Sequence, residues 1–197
     1  MTLKKITISN IDRYLWPWEP NWRSPVKVKP IFKTVISSNK RFQEQRRSIL
    51  DKPQREMSCS FQLRRREQQK FWNDIRKTRQ EYLAIPIYPE AIIPSAIVGD
   101  RIDTEKTDLD YLMYLQFFQG YLFGLDWKNE LYEIGSIYSI DSNSRLYMDS
   151  AWSESFSVDT TQFFPIFFGE IVNKPEPKQI TPEIIDVDMN FREVVLP

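Results

Sequence analysis

Residues 16–63 read WPWEPNWRSPVKVKPIFKTVISSNKRFQEQRRSILDKPQREMSCSFQL, and this block decides the fold. Its lead-in sets Trp16, Trp18 and Trp22 among Pro17, Pro20 and Pro25. Proline fixes φ, removes a backbone donor and pushes the residue before it to extended geometry, so the lead-in is an arm and not a helix. Its large anchors need a pocket, either in the same chain or in a neighbouring subunit. Behind the arm, residues 26–36 alternate Val26, Val28 and Ile31 with Lys27, Lys29 and Lys33, a half-exposed strand interrupted or started afresh at Pro30. Ser37-Ser38-Asn39-Lys40 is a turn by composition. Residues 43–50 and 57–63 then read as two strands paired across Asp51-Lys52-Pro53.

Upstream, the β-branched stretch 3–9 reads as a short first strand. Downstream, residues 64–80 lack proline and glycine, are rich in helix formers, and set Phe71, Trp72 and Ile75 along one stripe. That predicts one surface helix lying on a sheet. Beyond it the pattern returns to short strands at 82–88, 91–98, 111–118, 121–126, 134–140 and 145–149, with a turn at Gly99-Asp100. The apolar run 163–172 is a core strand, 173–182 a proline-rich loop, and 184–196 a last alternating strand. The expected fold is mainly β with one inserted helix, a small β-barrel or sandwich carrying an extended N-terminal arm. In domain terms, residues 1–25 form the arm and residues 26–197 a single barrel-like domain, with the helix at about 64–80.

The composition narrows the chemistry. With 197 residues and 41% hydrophobic content, the chain can bury one sizeable core. The absence of histidine removes the commonest general base and every Ser-His or Cys-His pair. Cys59 is the lone cysteine and is read as a small core residue. Asp186 and Asp188 are read as a solvated strand face, and Asp100, Asp103, Asp108 and Asp110 as turn formers whose spacing does not match an EF-hand loop. Five glycines form no phosphate-cradling loop. No catalytic residue, metal or cofactor is expected. No apolar run is long enough for a membrane span, and the N-terminus lacks the apolar core of a secretion signal.

Charge is uneven although the net is zero. Residues 1–80 hold 20 Lys and Arg against 7 Asp and Glu, and the remainder reverses those numbers. Either folding interleaves the halves, or the molecule has one basic and one acidic face suited to head-to-tail docking.

Taken in order, the W-P-W arm, the strand with Thr34, Glu44-Gln45-Arg46, Pro53-Gln54-Arg55, the helix, Ala84-Ile85-Pro86-Ile87-Tyr88, the segment 99–104 and Thr161 to Pro165 resemble tail tip or baseplate proteins of long-tailed bacteriophages. The resemblance spans most of the chain. It departs at the turn before Glu44, where Ser38-Asn39-Lys40-Arg41 stands for the usual glycine; Asn39 can supply the left-handed conformation.

The resemblance implies a virion structural protein, either a distal tail ring or a hub layer next to it, forming a three-fold or six-fold ring. Its neighbours would be the tail tube protein and other tail tip proteins, with DNA only passing through the lumen. Trp16, Trp18 and Trp22 would anchor the arm in an adjacent subunit, Glu44, Arg46 and Arg55 would make charge-assisted contacts within the sheet or across the ring, and Phe71 and Trp72 are further contact candidates. The alternative is a nucleic-acid-binding or adaptor module using the basic half. A histidine-free glycosidase with paired carboxylates has no evident cleft to support it.

Overall fold

The computed structural model describes residues 3–8, 11–31, 34–38, 44–48, 54–79, 81–104, 120–141, 143 and 145–194; of residues 8, 11, 34–38 and 44–48 it describes the backbone alone. The first elements are β1 (Lys4–Ile8), β2 (Ile11–Leu15), β3 (Lys27–Ile31), β4 (Thr34–Ser38), β5 (Glu44–Ser48), β6 (Gln54–Arg64), α1 (Arg65–Thr78) and β7 (Leu83–Pro86). A short 3-10 turn (Tyr88–Glu90) leads to β8 (Pro94–Val98), β9 (Arg101–Thr104), β10 (Tyr121–Asp126), β11 (Leu131–Ile140), β12 (Arg145–Met148), β13 (Thr161–Ile171), β14 (Glu176–Thr181) and β15 (Ile184–Glu193). The protein is mainly β with one α-helix among the described residues. It divides into two compact units, Met1–Ala84 with Phe168–Pro197, and Ile85–Phe167.

In the first unit β6 is the central strand. It pairs antiparallel with β15 from Ile184↔Arg64 to Arg192↔Glu56, and on its other side with β3. The period-2 pleat explains the match: Met57, Cys59 and Phe61 point inward opposite Phe191, Met189 and Val187, all buried. Ser60 and Gln62 point outward and donate to Asp188 and Asp186. β1 and β2 form a hairpin, and β2 runs parallel to β7 through Leu15↔Ala84.

Two expectations on pairing are corrected here. β5 pairs with β4, not with β6. The reason is non-local: β6 carries its buried alternation on a face that β15 complements along nine registered positions, whereas β5 brings Glu44, Gln45, Arg46, Arg47 and Ser48. The proline-rich stretch 173–182 is also more than a loop, since it contains β14, paired to β15 with Pro177 opposite Val187. All six residues of β14 are exposed, and an outer strand tolerates a proline whose missing N–H faces away from the ladder.

In the second unit the strands run in the order β13, β10, β11, β12, β9, β8, every pair antiparallel. Gly99 at φ 60° makes the tight turn between β8 and β9, a conformation that costs glycine nothing. The buried cluster is Ile92, Ile102, Leu122, Ile137, Leu146, Met148 and Phe163. The expected barrel does not form as a closed ladder, because β8 pairs with β9 alone and only the isolated bridge Ile92↔Phe163 ties its lead-in to β13. The expected strand at 111–118, with Asp108 and Asp110, lies outside the described residues.

Candidate functional site

The arm meets the helix in the first unit, and that junction brings together more of the expected contact residues than any other place. Its backbone is pinned at both ends: Trp16 N–H donates to Ala84 O at 2.9 Å and Asn21 N–H to Ser60 O at 2.7 Å. Between these anchors Trp16 is 1% exposed. Its ring stands edge-on to Phe61, Phe71 and Phe191, with centroids 5.8, 5.9 and 5.5 Å away. The arm's pocket is therefore in its own chain. Trp16 and the fully buried Phe71 are core residues, and neither has surface left to offer a neighbouring subunit.

Trp18 is half-buried, packs on Phe71 at 5.2 Å and donates its indole N–H to Asp74 Oδ2 at 3.1 Å. Lys70 Nζ lies 5.5 Å from the centre of the Trp18 ring, within cation–π range. Trp72 stands edge-on to Phe71 and is half-buried. Trp22 is the one arm tryptophan that faces outward, 60% exposed. Glu44 and Arg46 stand in β5 opposite Ser38 and Ile36, and their side chains lie outside the described residues. Arg55 is buried elsewhere in the same unit and is held by Glu193, a contact within the sheet.

The helix follows β6 without a break. Glu67 closes its first turn by accepting from the Arg64 N–H at 2.8 Å, and the Thr78 hydroxyl donates back to Asp74 O at 2.9 Å. Its inward face is Phe71, Asp74, Ile75 and Thr78, so a carboxylate sits where the spacing alone would place an apolar residue. The Trp18 indole explains it.

The outward face is basic. Arg65, Arg66, Arg76, Lys77 and Arg79 are exposed, and an open depression of about 530 Å³ is lined by Leu3, Arg66, Gln69, Lys70, Asn73, Asp74 and Lys77. The depression presents cations and amides around the Asp74 carboxylate, whose Oδ2 accepts from Trp18. Such a surface can hold an anionic side chain or a phosphate by charge-assisted hydrogen bonds.

Other acids are committed to structure. Asp103 pairs with Arg101 at 2.8 Å, Asp188 accepts from Ser60, and no group of His, Cys, Asp or Glu among the described residues could hold a metal ion. Asp126 is fully buried and accepts from the backbone N–H of Lys128 and Asn129, each at 3.1 Å, and from Asn129 Nδ2 at 2.7 Å. Burial alone would raise its pKa; the hydrogen bonds from Asn129 and Ser157 outweigh that and hold it at about 2. Asp74 and Glu193 were not legible as site residues, since each is defined by a partner brought in by folding.

The units also differ in charge. The first holds 23 Lys and Arg against 14 Asp and Glu, and the second 4 against 13, balances of +9 and −9. Strands β14 and β15 bring acidic residues into the basic unit, where Arg55 pairs with Glu193 and Arg192 with Glu56, so folding interleaves part of the sequence dipole and leaves the rest. No protein-family model matches the chain, and a search of curated proteins finds no relative.

Proposed function

We propose that this is a structural protein that assembles head to tail, the basic unit of one copy against the acidic unit of the next, as a ring in a bacteriophage tail tip or baseplate. The observation that carries the reading is the opposite balance of the two units, +9 and −9. Unlike surfaces that attract one another make a heterologous contact, and such contacts close into rings when the rotation permits. The exposed Trp22 supplies an aromatic anchor of the kind that dominates interface energy. The order of sequence segments that resembles tail tip proteins supports the viral setting and, with it, assembly in the host cytoplasm beside the tail tube. In this reading the chain performs no catalysis.

Native mass measurement of the purified chain at about 50 and 500 mM salt tests the assembly. Oligomers at low salt that dissociate at high salt are expected, because the screening length of exposed charges falls from about 14 Å to about 4 Å across that range. A monomer at every concentration in low salt overturns it. Antibody labelling of the virion tail tip tests the setting.

A second reading has its own observation, the row of exposed cations on α1. It assigns that face to the phosphates of a nucleic acid. Affinity falling steeply with salt, through counterion release, supports it, and no DNA or RNA binding at low salt removes it.

A further inference from the structure

Two arginines of the first unit are almost wholly buried, and they are satisfied in different ways. Arg55, 2% exposed, meets Glu193 through a two-pronged contact. Arg13, 4% exposed, meets no carboxylate among the described residues. It projects from β2 on the same face as the buried Leu15, and its guanidinium carbon lies 5.5 Å from the ring centres of both Tyr82 and Phe168. Its Nε has no hydrogen-bond partner, and among the described residues no acceptor reaches the rest of the guanidinium.

Aromatic faces stabilise a cation by about 0.5–2 kcal/mol, whereas the penalty for taking an ion out of water amounts to several. The rings therefore hold and orient the guanidinium without compensating its burial. Tyr82 is 42% exposed, so one of the two rings against the guanidinium lies at the surface.

We propose that Arg13 is a carboxylate-binding site, filled by an acidic side chain from the acidic unit of a second copy. The occupant rests on the assembly reading given above. It is favoured over a free anion because the second unit carries the −9 balance that complements this one. The Tyr82 ring swings aside, the planar guanidinium takes the carboxylate through two parallel hydrogen bonds, and Phe168 remains as the floor. The desolvation penalty already present in the single chain then appears as affinity between copies.

The test uses the full chain with Arg13→Met, which keeps the volume and removes the charge, and Arg13→Lys, which keeps the charge and removes the fork. Sedimentation velocity reads association, and thermal melting at a concentration where the chain is monomeric reads the fold. Arg13→Met is expected to melt at or above the wild-type temperature while its association constant falls about 30-fold or more. Arg13→Lys restores association only in part. Wild-type association by Arg13→Met overturns the proposal. So does a monomer of that variant that melts several degrees lower or fails to fold, since Arg13 would then serve its own chain. If the wild type itself never associates, the assembly reading fails separately, and sodium acetate against sodium chloride at equal ionic strength judges the site. Acetate that raises the melting temperature of the wild type more than that of Arg13→Met keeps a carboxylate site at Arg13; equal effects remove it.

Discussion

Arg55 and Glu193 stand 138 residues apart in sequence and meet through Nη2 to Oε1 at 2.6 Å and Nε to Oε2 at 3.0 Å. The Arg55 backbone N–H donates to the same Oε2 at 2.8 Å, so one carboxylate fixes both the side chain and the strand it stands on. Glu193→Ala removes the carboxylate that holds a buried guanidinium and is expected to cost about 3–5 kcal/mol, read by urea denaturation. Replacing both residues together, with Met at 55 and Leu at 193, is expected to recover most of that loss. A double variant as unstable as the single one would show that the pair contributes more than mutual neutralisation.

Trp16 supplies the arm's anchor and also the centre of an aromatic cluster. Trp16→Ala is expected to cost about 3–5 kcal/mol through lost burial and a cavity. Trp22→Ala, at a site 60% exposed, is expected to stay within about 0.5 kcal/mol of the wild type in a monomer melt. Removing residues 1–24 consequently unfolds the first unit along with any assembly, and Trp22→Ala is the clean probe of the arm in assembly.

The Asp126 carboxyl has its pKa lowered from 3.8 to about 2 by the groups that donate to it. A depressed carboxyl contributes stability that is fully present above its unfolded value and is lost as pH falls through its folded value. The melting temperature is therefore expected to drop between about pH 4 and pH 2, and Asp126→Asn to flatten that part of the profile while lowering the plateau at pH 7. An unchanged acid limb in the variant would remove Asp126 from the account.

Cys59 is buried in β6, and its thiol is pushed up to about 12 by burial, with the Asp188 carboxylate adding to the rise. A thiol reagent at pH 8 is expected to label the native chain no faster than it unfolds, and to label at once in denaturant. Rapid native labelling would mean that the β6–β15 ladder opens locally.

Much of this fold could be read from local pattern, and what could not shares one cause. The apolar run of β13, the alternation of β15 and the 71–75 stripe of α1 are properties of neighbouring residues, and they placed those elements to within a few positions. Partnership is a property of the folded chain. Nothing near β6 says that its partner lies at 184–192, so the nearer β5 looked equally fit. Nothing beside Asp74 marks it as buried, because its indole donor is 56 residues away, and the aromatic arm gave its anchors but not their address. The stretch that became β14 read as loop because proline is disfavoured within a ladder, and an outer strand is one of the places that tolerates it.

The nine-position ladder between β6 and β15 also sets a timetable for synthesis. The second unit is contiguous, so all of its strands are synthesised before β15 is begun. The first unit must wait, with the inward face of β6 uncovered by β15 and Glu193 not yet beside Arg55, until that strand arrives to close it. Nascent chains stalled before residue 184 are therefore the ones on which a chaperone has most to hold.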